Sequence, residues 1–253
     1  MPSALDRPRL TVFAGPNGSG KSTAYLRFLN AGLESGEYLN PDDIAAAIRA
    51  GSPGSQAVDL RAGREVIKRT RSLIARRRTF VRETTLSGRE IGRSMELARV
   101  AGYRVVLFFV AVCSPKASGW RVAIRVAKGG HDIARRDQER RFPRSFANAP
   151  VVASRADAAY FLDNTELHLR LVASVLAGTV TFFDPVSAPW VERATADLPR
   201  AEVLKSRDEA LADLRETERL SAQLQVRDAR SGIVLEVPID RGITQHAVMR
   251  RAG

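Results

Sequence analysis

The sequence is short of cysteine, aromatic rings and acid. Its 253 residues include one cysteine, Cys113, which excludes an internal disulfide framework and a cysteine-rich zinc site. Aromatic residues make up 6%, little for the stacking platforms that single-stranded nucleic acids use. No run of about 18 apolar residues occurs, so no membrane-spanning helix is predicted. The opening MPSALDRPRL lacks the apolar core of a secretory leader, so the cytoplasm is the expected compartment. Against 28 acids stand 40 lysines and arginines, a formal charge of +12. Only five of these 40 are lysine, which leaves 35 arginines. Arginine grips phosphate through paired hydrogen bonds, so a triphosphate plus a phosphorylated acceptor would suit this balance. A base composition rich in Arg and Ala codons gives the same balance without a partner, so charge alone does not establish nucleic-acid binding. The 44% hydrophobic content is enough for one good-sized α/β core with an appendage.

What is present begins with a strand, a loop and a helix in order. Leu10–Ala14 is β-rich and apolar, and a helix is expected over 22–33. Between them Gly15, Gly20, Lys21 and Ser22 match G-x-x-x-x-G-K-[ST], the P-loop. Gly15, Pro16, Asn17, Gly18, Ser19, Gly20, Lys21, Ser22 and Thr23 are therefore the expected ATP-binding residues. The glycines let backbone N–H groups turn toward phosphate oxygens at the positive end of the helix. Lys21, read as an exposed loop lysine, adds a point charge on the β- and γ-phosphates, and the Ser22 hydroxyl is a ligand for Mg²⁺.

Further apolar runs, Tyr38–Leu39, Thr79–Arg82, Arg104–Val112 and Ala159–Leu162, alternate with helical patterns at 42–49, 56–77, 89–101 and 115–128. The alternation predicts a three-layer α/β sandwich with a mostly parallel sheet. Its active site then lies at the carboxyl ends of the strands. Leu169–Val175 and Thr179–Phe183 read as a terminal hairpin. Beyond it come a proline-punctuated stretch, an amphipathic helix from Arg200 to about Gln225 with Leu204, Leu211, Leu214 and Leu220 on one face, and a strand over Ile233–Ile239. The division expected is a P-loop kinase domain over 1–185 and an extension of unassigned role over 186–253.

After the second strand, Asn40 caps a helix that opens Pro41-Asp42-Asp43. Asp42 is placed there to take a proton from an acceptor hydroxyl. After the third strand, Glu83 is a candidate for acceptor hydroxyls or a Mg²⁺-bound water, with Thr84 and Thr85 beside it. Ser87 and Glu90 form a capping-box pattern. The fourth strand ends Ala111-Val112-Cys113-Ser114 without a Walker-B acid, which argues against a motor or transporter ATPase. No N-K-x-D motif is present, which disfavours a GTPase. Over 120–149, Arg121 and Arg125 lie one helical turn apart. Gly129-Gly130 then separates them from Arg135, Arg136, Arg140, Arg141 and Arg144. Two such helices read as an arginine lid over ATP, or as a solvated face. His131 is a turn residue in the ordinary reading and a substrate contact in the functional one.

These segments, in order, resemble the zeta-toxin family of P-loop kinases. They are GPNGSGKST at 15–23, LNPDDI at 39–44, FVRETTLSG at 80–88, RVAKGGH at 125–131, RRFPRS at 140–145 and LDNT at 162–165. The resemblance covers about residues 8 to 185. It implies an ATP- and Mg²⁺-dependent kinase whose best-known members phosphorylate the sugar 3′-hydroxyl of UDP-N-acetylglucosamine, restrained by an antitoxin partner. On the matching positions it implies phosphate and Mg²⁺ roles for Lys21 and Ser22, the base at Asp42, an acceptor-side role for Glu83, and phosphate-stabilising roles for Arg125 and Arg140. The segment Gly129–Ala134 is closer to short zeta-like proteins, where the acceptor is less well established. A nucleic-acid or nucleotide kinase acting on a 5′-hydroxyl end is the competing expectation, and an ATP-binding interaction protein the third.

Overall fold

A computed structural model describes residues 7–51, 58–127, 133–166, 168–218, 225–228 and 233–236. The central strand β1 (Arg9–Ala14) is buried at all six positions, as a parallel strand covered on both faces must be. Strands β3 (Phe80–Thr84) and β4 (Arg104–Ala111) flank it in parallel. Outside these lie β2 (Glu37–Leu39), paired to β3, and β5 (Ala158–Asp163), paired to β4, both again parallel. An antiparallel hairpin, β6 (Arg170–Leu176) and β7 (Thr179–Phe183), completes the order β2-β3-β1-β4-β5-β6-β7. Its two-residue turn, Ala177-Gly178, has positive φ at both positions (48° and 81°), the geometry that matches strand twist. The mostly parallel sandwich with a terminal hairpin is the fold that the alternation of runs predicts.

Alternate strand residues serve opposite layers. Leu10, Val12, Leu107, Phe109 and Phe161 join one core with α3 (Val58–Ala75), α4 (Glu90–Val100) and α6 (Arg135–Ala153). Phe13, Val106, Phe108 and Tyr160 join the other, with Tyr25 and Phe28 of α1 (Lys21–Asn30). Two more helices, α2 (Pro41–Gly51) and α5 (Pro115–Ala127), stand over the carboxyl ends of the strands. At the opposite end of the sheet the Tyr103 hydroxyl donates to Leu73 and Arg78 carbonyls at 2.9 Å each, tying α3 to β4.

Residues beyond the hairpin build on the same sheet. Trp190 and α7 (Val191–Ala194) enter the first core, while Leu211 and Leu214 of α8 (Arg207–Glu218) enter the second. Each such side chain contributes about 1.5–3 kcal/mol of burial. The Glu218 side chain, 0% exposed, pairs with Arg9 and, at 3.1 Å, with Arg104. A separate two-stranded sheet joins β8 (Gln225–Asp228) to β9 (Ile233–Glu236).

Two local expectations are corrected. The amphipathic helix starts at Arg207, not Arg200. The N–H groups of Ala201 and Lys205 donate instead to Val180 and Thr181 of β7, so this stretch is spent on a sheet edge. Leu204 accordingly stays 39% exposed, and Leu220 lies outside the described residues. The Ser87–Glu90 capping box does not form either. The helix starts at Glu90, whose carboxylate is claimed by the buried Arg82, while the Ser87 hydroxyl meets Thr85 at 3.0 Å.

Candidate active site

The loop from Gly15 to Gly20 leaves β1 and enters α1 with no side-chain cap and no acid in the first turn. Uncapped N–H groups and the helix dipole therefore face one spot, the requirement for a phosphate site. Backbone crowding at Gly15 and a φ of 91° at Gly20 make these two glycines obligatory. A Cβ on Gly15 would lie 1.9 Å from the Val110 carbonyl oxygen, and one on Gly20 would lie 2.3 Å from Asn164 Nδ2. Ser19 Oγ is buried without a hydrogen-bond partner, a hydroxyl able to donate to a phosphate oxygen. Thr23 lies one step around α1 and is exposed.

Lys21 is not the exposed loop lysine expected from sequence. It is 6% exposed; its ammonium donates to the Pro16 carbonyl at 3.0 Å and stands 3.8 Å from Glu83. Burial holds its pKa below the usual lysine value, partly offset by the charges of Glu83 and Asp42. An ammonium so placed is desolvated before any phosphate arrives.

Glu83, at the end of β3, accepts hydrogen bonds from Ser22 Oγ at 2.8 Å and Tyr38 Oη at 2.5 Å. The acid sought after the fourth strand thus sits on β3, on the other side of β1, with its carboxylate hydrogen-bonded to the P-loop serine. Tyr38 is stacked on Tyr25 with ring centroids 4.1 Å apart. Burial, then the nearby Glu83 charge, pushes the Tyr38 phenol well above its ordinary range, so it remains a donor. Ser22 and Glu83 fit Mg²⁺ chemistry: hard oxygens, one anionic, next to the phosphate site. Among the described residues no group of three or more His, Cys, Asp or Glu could hold a metal alone, so nucleotide phosphates and water would complete the shell.

A cleft of about 340 Å³ opens from this wall toward α2, α3 and α6, lined by Asn17, Gly18, Lys21, Asp42, Glu83, Thr84, Thr85 and Arg125 among others. Asn40 caps α2 as predicted, its Oδ1 accepting the Asp42 N–H at 3.0 Å. That fixes Asp42 in the first helical turn with its carboxylate 3.5 Å from Arg125 Nη1. Thr84 and Thr85 occupy a turn that ends in Leu86 at φ 57°, a left-handed conformation rare for leucine. Two α6 side chains hold that turn: Ser145 Oγ donates to the Thr85 carbonyl, and Asn148 Nδ2 to the Leu86 carbonyl at 2.8 Å.

The arginines divide differently from their sequence pattern. Arg125 reaches the cleft, whereas Arg121, one turn before, donates to the Thr165 and Glu166 carbonyls at 3.0 and 3.3 Å. Arg140 does not line the cleft; it pairs with Asp137 at 2.8 Å, and Arg141 lines the cleft in its place. Gly129, Gly130 and His131 lie outside the described residues. Residues that the sequence reading did not single out are Tyr38 and Asn164, which bond to Glu83 and to the P-loop, and Asp59, which lines the cleft. The first two stood inside quoted motifs or next to them, but their partners are 45 and 145 residues away.

The zeta toxin family model matches residues 1–170. An uncharacterized protein of Haemophilus influenzae is 34% identical over 122 residues, 48% of this chain and 84% of that protein. The AvrRxo1-ORF1:AvrRxo1-ORF2 complex solved with sulphate ions superposes with a TM-score of 0.60 and 18% identity, over 75% of this chain and 64% of the other. The same complex solved with ATP gives 0.57 and 17%, over 88% and 66%. The chain thus spans just under two thirds of those AvrRxo1 chains. A structure of the PezAT chromosomal toxin–antitoxin system of Streptococcus pneumoniae gives 0.51 and 14%, over 67% and 71%. At these identities the solved structures establish a common fold.

Proposed function

We propose that this chain, which belongs to the zeta-toxin family, is an ATP-dependent phosphotransferase that carries the γ-phosphate to a sugar hydroxyl. The acceptor proposed is a nucleotide sugar, UDP-N-acetylglucosamine in the first place. The observation that carries this reading is a carboxylate and a guanidinium, Asp42 and Arg125, 3.5 Å apart in the cleft that also holds Lys21. Base, phosphate clamp and P-loop then share one reaction space.

In the mechanism proposed, loop N–H groups and Lys21 hold the β- and γ-phosphates. Ser22 and Glu83 would hold Mg²⁺, which would neutralise phosphate charge when bound. Asp42 accepts the acceptor hydroxyl proton as that oxygen attacks the γ-phosphorus, and the bond to the β-phosphate oxygen breaks. Arg125 and Arg141 meet charge on the transferring group, and Thr84 and Thr85 contact the acceptor. Arg140, by its pairing with Asp137, is assigned a structural role. A separate antitoxin chain is the proposed protein partner, as the PezAT likeness suggests, and the cytoplasm the proposed compartment.

Incubation with γ-labelled ATP and separate pools of nucleotide sugars, nucleosides and oligonucleotide 5′-ends tests the reading. Label is expected in the nucleotide-sugar pool. Label entering oligonucleotide ends alone would replace the proposal with the 5′-hydroxyl kinase, and hydrolysis without transfer would remove the acceptor altogether.

A further inference from the structure

The turn that follows β5 is bonded to more of the nucleotide site than any catalytic role explains. Asn164 Nδ2 donates to the Ser19 carbonyl of the P-loop at 2.7 Å, and its own N–H donates to the Ala111 carbonyl at the end of β4 at 2.8 Å. Thr165 Oγ1 accepts the Cys113 N–H at 2.9 Å, and the Thr165 carbonyl accepts from Arg121 of α5 at 3.0 Å. P-loop, β4 and the helix that carries Arg125 thus converge on two adjacent residues.

Asp163 shapes this turn from below. Its Oδ1 accepts Thr165 Oγ1 at 2.7 Å, and its Oδ2 accepts the Thr165 N–H at 3.2 Å. The remaining donor comes from beyond the hairpin: Trp190 Nε1 donates to Asp163 Oδ1 at 2.8 Å. Asp163 is 5% exposed and Trp190 9%, so the bond is shielded from water and its loss would not be replaced cheaply. The Trp190 ring is independently held against Phe109 and Phe146, with centroids 6.0 and 5.7 Å away.

We infer that Trp190 is a positioning residue for ATP, acting through the Asp163–Asn164–Thr165 turn on the P-loop. The stretch after residue 186 is therefore a working part of the nucleotide site. The path is short: Trp190 fixes the Asp163 carboxylate, the carboxylate fixes Thr165, and the turn so held keeps Asn164 on the Ser19 carbonyl. Asn164 Nδ2 lies so close to Gly20 that a Cβ there would be 2.3 Å away, so the contact falls on the loop where its amides enter α1. Trp190 touches no nucleotide atom in this scheme.

The inference rests on ATP binding at the P-loop and not on the acceptor, so the test measures ATP affinity calorimetrically on the full chain. Trp190→Phe keeps a ring but removes the N–H, and Asn164→Ala removes the far end of the path. Each is expected to weaken ATP binding by roughly 5- to 20-fold, the scale of a lost buried hydrogen bond. The double variant should be no more than about twofold weaker than the weaker single, because both cut one path. Phe146→Leu, which loosens the packing of Trp190 without touching Nε1, should lower the melting temperature and leave ATP affinity within about twofold. ATP affinity unchanged in Trp190→Phe, a fully additive double variant, or a Phe146→Leu effect as large as that of Trp190→Phe would overturn it. A wild-type chain that binds no ATP would overturn the kinase reading as well, whereas a different acceptor would leave this inference standing.

Discussion

On the donor wall of the cleft, the Lys21 and Glu83 side chains are 7% and 9% exposed; on the acceptor wall, those of Arg125 and Asp42 are 39% and 40% exposed. The donor pair is also tied to Pro16, Ser22 and Tyr38, whereas Arg125 and Asp42 meet across the cleft at 3.5 Å. Charges in low dielectric act strongly and need no rearrangement at the moment of reaction. Half-exposed charges are screened until substrate displaces water around them. On the function proposed, phosphate binding is thus built into the fold, while the Asp42–Arg125 side gains its strength only when the cleft is filled. Substitutions on the two walls should differ accordingly.

The largest effect is expected at Lys21. Lys21→Ala should lower transfer by roughly 10²–10³-fold, as loss of a preorganised transition-state donor does, and should abolish the rise in melting temperature that ATP gives. Retained ATP affinity would show that the donor wall does not depend on its buried ammonium. At the other end of β1, Glu218→Ala leaves the Arg9 guanidinium, 7% exposed in its side chain, without its buried carboxylate. A loss of about 3–5 kcal/mol in urea unfolding is expected, and a loss below about 1 kcal/mol would make this pair incidental.

Tyr38→Phe should be milder. The Tyr25 stack survives, and only the hydroxyl on Glu83 is lost. Transfer is expected to fall about tenfold and to need more Mg²⁺, since Glu83 then keeps one hydrogen bond, from Ser22, beside the Lys21 charge at 3.8 Å. Because burial raises the Tyr38 pKa, the wild-type phenol stays protonated as pH rises through the ordinary tyrosine range. The alkaline limb of the rate profile should therefore be the same in Tyr38→Phe, and loss of a limb would assign a titration to Tyr38. The smallest pair separates adjacent arginines. Arg141→Ala should lower kcat/KM for the acceptor about tenfold, and Arg140→Ala, which loses an exposed ion pair with Asp137, should stay within about twofold. The reverse ranking would restore Arg140 to the site.

How much of this was legible in the sequence follows from the distance over which each feature is fixed. The runs Leu10–Ala14 and Arg104–Val112 are apolar because both faces are covered, so strand order apart, they could be read directly. The P-loop and the Asn40 cap are local and were legible for the same reason. The Glu83–Ser22 bond joins residues 61 apart and needs β3 to neighbour β1, which no local pattern states. Arg140 and Arg141 differ by about 100° around a helix, so an arginine run cannot say which one faces the cleft. Arg82 outcompeted Ser87 for Glu90 through a fold-level contact that overrode a local capping pattern. Arg200–Lys205 carried helical charge patterning yet lay beside an unfilled edge of β7, and the sheet took its N–H groups.

The central claim, that the half-exposed wall supplies the base, is tested most directly by comparing Asp42→Asn with Asp43→Asn. Both residues sit in the first turn of α2, so each substitution costs on the order of 0.3–1 kcal/mol of helix stability. Transfer from γ-labelled ATP to the acceptor, measured alongside ATP affinity, separates them. Asp42→Asn should lower transfer by roughly 10²–10⁴-fold with ATP affinity nearly unchanged, and Asp43→Asn should leave both almost alone. Small and equal losses of transfer in the two variants would contradict the account and return the base to another carboxylate of the cleft.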